Sequence, residues 1–427
     1  MRILLLGASG FIGRELFAAL AARGHRVVAA VRDPASAPPF ATEPPRSVDL
    51  NRATKPEDWL ALLEGIDAVV NCAGILQATR SQSIDAIHRA APIALFQACE
   101  KAGVRRVVQI SAISADREAG TDYAATKLAA DDYLRATALE WIVLRPSLVH
   151  ARGAYGGTAL FRAMAAMPFA IPLPGAGNQE FQPIHVDDLA QVVIQALETD
   201  RLVRATLDPV GPDRLTLRAI LADLRRWLGF GAARFVSIPQ PLVRAATALG
   251  DRLGGPLNST ALAQLERGNT GDYAAFARAT GMTARGWPEC LARQPAHTQD
   301  RWHARLYFVR PILRYTLVFL WLASAVAGAL DLRAWSVLLA TQVPMGIRAA
   351  LLLLALACLL DLVLAALVVR RWRPRRLALI QVTVILGYTA VATILFPSLW
   401  TEPLGPLFKN VPILAAVLAW GAVEEDR

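Results

Sequence analysis

The sequence predicts a doubly wound α/β domain with a parallel sheet, followed by an all-α membrane domain. Three observations predict it: alternating strand-like and helix-like patterns over roughly the first 150 residues, glycines at 7, 10 and 13 where the first strand meets the first helix, and long apolar segments after Arg310. MRILLLG reads as a short buried strand. FIGRELFAALAARG has helical spacing and ends on Gly24, and HRVVAAVR is a second strand. IDAVVNCAG, VRRVVQIS and LEWIVLRPS continue the strands, with helical stretches around residues 83–101 and 123–137. Alternating βα units imply a parallel sheet covered by helices on both faces.

The loop GASGFIG contains Gly7, Ser9, Gly10, Phe11, Ile12 and Gly13. Glycines at such a junction permit a tight turn, let a pyrophosphate approach the backbone and aim a helix N-terminus at negative charge. These residues are therefore candidate dinucleotide contacts. The second strand ends in Val31-Arg32-Asp33-Pro34. An acidic residue there would hold a ribose 2′-hydroxyl, whereas an arginine accommodates a 2′-phosphate. Arg32 comes first and Arg14 follows the glycine loop, which favours NADP(H) over NAD(H), with Asp33 keeping NAD(H) open. Asp49, followed by Leu50, is placed to reach the adenine amino group.

Tyr123-Ala-Ala-Thr-Lys127 carries the chemistry. The i, i+4 spacing puts phenol and ammonium on one helical face. A lysine beside the ring is expected to lower the tyrosine's pKa from its ordinary ~10. The tyrosine can then exchange a proton with a substrate oxygen while a nicotinamide moves the hydride. The pair follows the fourth strand and a loop bearing Ser111 and Ser114.

Of the net charge of +10, +7 lies from residue 301 onward, where 13 Arg/Lys stand against 6 Asp/Glu. The basicity therefore belongs to the tail and does not indicate nucleic-acid binding. A mean hydropathy of +0.36 is high for a soluble chain. Apolar segments at about 312–330, 347–369, 377–396 and 404–423 each approach the ~20 residues of a membrane span. Arginines 301, 305, 310 and 314 flank the first, and RRWRPRR, residues 370–376, joins the second to the third. Four crossings with these basic groups inside put both termini in the cytoplasm. Asp361 breaks the second segment at a cost of several kcal/mol unless it is paired, protonated or facing a cavity, and Tyr388 of the third segment comes to a similar depth. The four cysteines show neither metal spacing nor a disulfide framework, which suits free thiols in a reducing compartment. The apolar stretch Ile3–Leu6 is too short for a signal peptide.

GASGFIG, NCAG at 71–74, VVQISAIS, YAATK, WIVLRPSLVH at 141–150 and FQPIHVDDLAQVV at 181–193 together resemble the short-chain dehydrogenase/reductase superfamily. They are similar to its extended or atypical branch of epimerase-type and complex I accessory-subunit-type proteins. The resemblance implies a Rossmann domain over residues 1–300, with a small C-terminal substrate lobe assembled from about 150–185 and 200–300. It implies that Asn71, Ala73 and Gly74 line the cofactor, that Pro146 and Ser147 flank the nicotinamide, and that His185 is a structural hydrogen bonder or lies near substrate. The family often has a Ser-Ser run after the serine strand. Here the run is Ser111-Ala112-Ile113-Ser114, so either serine, or neither, is the substrate-orienting hydroxyl. Residues 311–427 resemble the DoxX-like four-helix membrane domain, after a basic linker at 301–310, and Asp361 falls where that family's second helix carries an acid.

The reading that follows is a membrane-anchored NADP(H)-dependent oxidoreductase on the cytoplasmic face of a bacterial inner membrane. Its substrate would be a small molecule or a lipid-like quinone, isoprenoid or lipid carbonyl compound. A second reading is a non-enzymatic NADPH-bound scaffold or redox sensor of a membrane protein complex. A third makes the tail the active part, with Asp361 central.

Overall fold

The computed structural model describes residues 1–424 except 80, 117, 119, 254–257 and 404, and the chain forms two compact units, Met1–Ala304 and Arg305–Arg427. In the first unit, β1 (Arg2–Leu6), α1 (Phe11–Ala22), β2 (Arg26–Val31), β3 (Arg46–Ser47), α2 (Glu57–Leu60), β4 (Ala68–Asn71), α3 (Ala91–Ala102), β5 (Arg106–Ile110), α4 (Asp122–Arg135) and β6 (Glu140–Leu144) follow the expected alternation. Then come β7 (Val149–His150), α5 (Gly156–Ala165), β8 (Ile171–Pro174), β9 (Glu180–Phe181), β10 (Ile184–His185), α6 (Val186–Glu198), β11 (Ala205–Leu207), β12 (Leu215–Thr216), α7 (Leu217–Trp227) and β13 (Phe235–Ile238). Helices α8 (Gln240–Leu253), α9 (Ser259–Arg267), α10 (Tyr273–Thr280) and α11 (Trp287–Arg293) complete the unit.

A seven-stranded sheet runs in the order β11-β6-β5-β4-β1-β2-β3, with every neighbouring pair parallel. Both faces are buried, which explains the continuous apolar runs of its strands. Ile3 and Leu5 of β1 point to the face covered by Leu16, Phe17 and Leu20 of α1 and Leu189, Val192 and Val193 of α6. Leu4 and Leu6 point to the other, against Leu95 and Cys99 of α3 and Ala130 and Leu134 of α4. Each such side chain removed from water is worth about 1.5–3 kcal/mol. Because β1 leads outward through β2 and β3 while β4 lies on its other side, the winding reverses between β1 and β4. In open α/β sheets that crevice, at the carboxyl ends of the strands, is where ligands bind.

A further cluster lies outside the main sheet. The pairs β8–β13 and β9–β12 and helices α5 and α7 enclose Phe161, Ile171, Leu173, Phe181, Ile220, Leu221 and Leu224.

The second unit departs from expectation in three places. Residues 301–310 form no linker but are helical, within α12 (Thr298–Leu330), which also carries Pro311. A further helix, α13 (Leu332–Gln342), precedes α14 (Ile347–Val369) and α15 (Pro374–Leu395). The fourth apolar segment, whose expected start Leu404 lies outside the described residues, is helical only as α16 (Asn410–Val423). Three described helices, α12, α14 and α15, are long and apolar enough to cross a bilayer. The 14 residues of α16 rise about 21 Å, short of a ~30 Å hydrocarbon core.

Leu317, Trp321, Leu364, Val368, Leu377, Ile385, Val417 and Trp420 of α12, α14, α15 and α16 pack together. Phe319, Leu352 and Ile394 stay exposed, as lipid-facing side chains would. Small residues let helices approach, since a Cβ at Gly421 would lie 2.5 Å from that of Ala378. Several polar groups in the interior are partnered. Trp321 Nε1 donates to Gln381 Oε1 at 2.7 Å, and Asp361 accepts from Ser324 Oγ at 2.6 Å and from Tyr388 Oη at 3.1 Å.

Glu424, at the end of α16, is buried against Arg314 of α12 and lies 3.3 Å from Arg371 of the RRWRPRR segment. Removing one member of a buried ion pair leaves the other uncompensated, at about 3–5 kcal/mol. Glu424→Gln is therefore expected to lower the melting temperature of the detergent-solubilised chain, and adding Arg314→Met should recover most of the loss. Melting curves of the two variants check this, and an unshifted Glu424→Gln curve would show that the pair is not needed.

Candidate active site

The glycine loop is shaped by contacts that leave no room for side chains. Gly7 has φ +74°, and a Cβ on it would lie 2.9 Å from Ala73 N. A Cβ on Gly13 would lie 2.0 Å from Gly7 O. The turn closes through Gly10 N donating to Gly7 O at 2.8 Å. Helix α1 starts at Phe11 with Gly10 as N-cap and no side-chain cap, so its first N–H groups are left for an anion. Ser9 is half-buried, and its carbonyl accepts from Arg14 Nε at 3.0 Å. Arg14 thus braces the loop. Phe11 stacks on Tyr155, with ring centroids 6.3 Å apart, and Ile12 packs on the core beneath. A closely packed, uncapped helix N-terminus at the winding reversal fits a dinucleotide pyrophosphate.

At the end of β2, Arg32 is exposed while Asp33 is committed to local structure, its carboxylate capping a short turn by accepting from Ala35 N at 3.0 Å. Asp49 accepts from Asn51 N and Nδ2, both at 3.1 Å, and lies 3.7 Å from Arg52, while Leu50 packs on the core.

The NCAG segment leaves β4 directly beside the glycine loop. Asn71 is buried, with Nδ2 donating to Gln109 Oε1 at 2.8 Å and Oδ1 accepting from Ala73 N at 3.1 Å. These two bonds fix the loop from beneath. The residue sequence reasoning missed here is His88. Its ring is buried, Nε2 accepts from Ile75 N at 3.0 Å, and Nδ1 lies 3.3 Å from Thr126 Oγ1, which sets the tautomer with hydrogen on Nδ1. Edge-on to Tyr123 at 5.2 Å, it sits in the one-turn π-helix Ala86–Ala90, a distortion frequent at functional sites. No spacing in the sequence marks it.

Tyr123 and Lys127 share a face of α4, with Lys127 Nζ 5.8 Å from the phenol centroid. Thr121 caps the helix by accepting from Ala124 N. Lys127 is buried, donates to Ile110 O at 3.3 Å, and reaches within 3.4 Å of where a Gly74 Cβ would stand. Burial lowers its pKa, opposed by the Asp131 carboxylate. The expected lowering of the tyrosine is not found. Burial, then the charge of Asp131, pushes the phenol up to about 12, because desolvating a phenolate outweighs an ammonium that far away.

The two serines differ. Ser111 donates its hydroxyl to Asp131 Oδ2 at 2.5 Å and is committed there. Ser114 is also buried, and its carbonyl accepts from Asp116 N. Asp131, which the sequence analysis passed over, is fully buried. Burial raises its pKa to about 6 against the lowering effects of Ser111 and Lys127. Extending the Tyr123, Lys127 series by four more residues would have found it.

Pro146 accepts from Ile113 N at 3.1 Å, and Ser147 is buried with its hydroxyl donating to Gln182 O at 2.5 Å. Both hold the loop after β6. His185 caps α6 by accepting from Asp187 N at 3.2 Å and lies 3.1 Å from Arg285, which fits the structural alternative. Beyond Ser147, an apolar cavity in the lobe is lined by Leu148, Phe161, Leu224, Trp227 and Trp287.

Residues 7–200 match the NAD(P)H-binding family model and 318–418 the DoxX-like family model. The chain is 30% identical over 332 residues to the 3-diazoavenalumate denitrifying reductase of a Streptomyces species, covering 69% of this chain and all of that one. It is 27% identical over 250 residues to a ceramide reductase of Caulobacter vibrioides, covering 58% of this chain and 77% of the relative. It is also 28% identical to NADH dehydrogenase [ubiquinone] 1 alpha subcomplex subunit 9 of Arabidopsis thaliana over 258 residues, 58% of this chain and 62% of that one. Among solved structures it is similar in fold to MoeE5 in complex with UDP-glucuronic acid and NAD, with TM-score 0.55 and 23% identity over 69% of this chain and 97% of that one.

Burial holds His88 neutral, its pKa lowered from 6.5 to about 3, with Lys127 adding to the effect. The stability its neutral ring confers is complete above pH 6.5 and is lost as pH falls toward 3, because the unfolded chain takes up the proton first. His88→Gln is expected to remove about 1.4 kcal/mol per pH unit from the acid slope of stability between roughly pH 6 and 4. Denaturant titrations of the full chain across that range check it, and parallel slopes would show that the imidazole is not held neutral.

Proposed function

Since the chain belongs to the NAD(P)H-binding short-chain dehydrogenase/reductase family and carries a DoxX-like membrane domain, we propose that it is a membrane-anchored, NADP(H)-dependent carbonyl reductase. The observation that carries this is Tyr123 and Lys127 on one face of α4, with Lys127 and His88 closing on Gly74 beside the glycine loop. When bound, a nicotinamide would supply a hydride to the carbonyl carbon. Tyr123 supplies the proton to the carbonyl oxygen. A phenol whose burial keeps it protonated at neutral pH is suited to donation, and reduction is the direction that uses it. As the phenolate forms, the Lys127 ammonium would stabilise it, and the same ammonium would grip the ribose hydroxyls. With Ser111 committed to Asp131, Ser114 is the hydroxyl left to orient the substrate oxygen.

The preference for NADP(H) rests on Arg32, exposed at the end of β2, and on Asp33, whose carboxylate is taken by its own turn. The glycine loop residues Gly7, Ser9, Gly10, Phe11, Ile12 and Gly13 would hold the pyrophosphate, Asp49 and Leu50 the adenine, and Ala73, Gly74, Pro146 and Ser147 the nicotinamide half, with Asn71 positioning the loop.

The substrate we propose is a lipid-like carbonyl compound of the membrane. The likeness to a ceramide reductase and the spanning helices support that class. The basic RRWRPRR loop supports a cytoplasmic N-terminal unit at a bacterial inner membrane. The likeness to a complex I subunit favours a second reading, a structural NADPH-bound part of a membrane assembly.

Fluorescence titration of the detergent-purified chain with NADPH and NADH, followed by cofactor oxidation on adding bacterial lipid extract, separates the two. Tyr123→Phe is expected to lower extract-dependent oxidation by about 10²–10⁴-fold while leaving NADPH affinity within roughly a factor of three. Tight binding without oxidation under any extract would favour the structural part. Arg32→Ala is expected to weaken NADPH binding about tenfold or more, the worth of one charge-assisted hydrogen bond, and to leave NADH unchanged. Equal loss for both cofactors would remove Arg32 from the 2′-phosphate.

A further inference from the structure

We infer that Asp131 is a positioning residue for Lys127, holding it as an ammonium through a Ser111–Asp131 clamp carried on β5 and α4. The inference rests on the reading that this face of α4 serves a bound dinucleotide.

The argument starts from a cost. A lysine as buried as Lys127 sheds its proton unless a negative charge or several acceptors compensate. Among the described residues its hydrogen-bond acceptor is one backbone carbonyl, Ile110 O at 3.3 Å. Cys72, Tyr123 and His88 around it offer no charge. Burial pushes the Cys72 thiol up to about 12 and the Tyr123 phenol likewise, and holds His88 neutral. Asp131 follows Lys127 by four residues on the same helix, so the two side chains lie on one face, one turn apart.

Asp131 is itself constrained. Ser111, the first residue beyond β5, donates to Oδ2 at 2.5 Å, which fixes the carboxylate plane. Oδ1 is buried and has no hydrogen-bond partner among the described residues. A buried carboxylate oxygen left without a hydrogen bond is costly, and the charge of Lys127, one helical turn away, lowers that cost. The competing cations are diverted. Arg145 is held by Asp208 through two contacts of 2.7 and 2.9 Å, and Arg135 bonds Asp132 at 2.6 Å. Ser111 therefore has a function other than substrate polarisation, namely to hold the counter-charge of the lysine.

The test is the pH dependence of NADPH binding, read by fluorescence on the detergent-purified full chain from pH 6 to 10, with Lys127→Met as reference. A protonated Lys127 donates to the ribose and a neutral one does so weakly, so affinity falls on an alkaline limb that Lys127→Met should lack. Asp131→Asn removes the charge that keeps the proton on Lys127. It is expected to move that limb down by at least one pH unit, and Asp131→Glu is expected to restore most of the shift. If Asp131→Asn does not fold, Ser111→Ala carries the test, with a smaller shift in the same direction. A limb at the wild-type pH in whichever of these variants folds would overturn the inference while leaving the cofactor reading intact. Wild-type chain that binds neither NADPH nor NADH would overturn both.

Discussion

The ammonium of Lys127 lies almost wholly out of water, and the site is arranged around that charge. A buried cation needs compensation, and the fold supplies it by bringing the end of β5 against one face of α4, where Ile110 offers a carbonyl and Ser111 orients Asp131. Compensation is incomplete in the protein alone, since one Asp131 oxygen stays unsatisfied. Incomplete compensation leaves Lys127 with donors in reserve. A ligand rich in hydroxyl oxygens, laid along Gly74, would meet them.

The sheet explains why such a ligand arrives there. Reversal of winding between β1 and β4 opens a crevice at their carboxyl ends, and contact of Gly7 with Ala73 and of Gly13 with Gly7 brings backbone rather than side chains to its floor. The same close packing demands rigid support below. Asn71 supplies it with both ends of its amide, as does His88 with both ring nitrogens. These two buried groups are hydrogen-bonded in the loop's interest, so substituting either would disturb cofactor and phenol together.

Much of this was legible in the sequence because its signals are local. Apolar runs of β1, β2, β4, β5 and β6 identify strands covered on both faces, the glycines mark the crossover, and i, i+4 spacing identifies the face of α4 that Tyr123 and Lys127 share. What was not legible depends on long-range contacts. That Asn71 also braces the loop depends on Gln109, 38 residues away, which accepts from its amide. Tyr123 reads as an activated phenol because sequence reveals a neighbouring lysine but neither its 5.8 Å distance nor the burial that outweighs it. In the tail, apolar composition located the segments, but residues 405–409 are not helical as composition had led one to expect, and α16 begins only at Asn410.

That shortened last helix bears on the tail's construction. A 14-residue helix cannot match the long helices end for end, so its two ends are tied separately. Glu424 meets Arg314 and Arg371 at the basic end. Asn410 Nδ2, at the opposite end of α16, donates to Thr389 Oγ1 of α15 at 2.7 Å. Between them Gly421 and Ala378 bring α15 and α16 into backbone-close contact. Polar ties and small residues replace the hydrophobic drive that lipid does not provide. On this account the arginines near the basic end do more than set orientation by their charge, since two of them hold the last helix in place. The acid at its terminus is then as much a part of the topology signal as RRWRPRR itself.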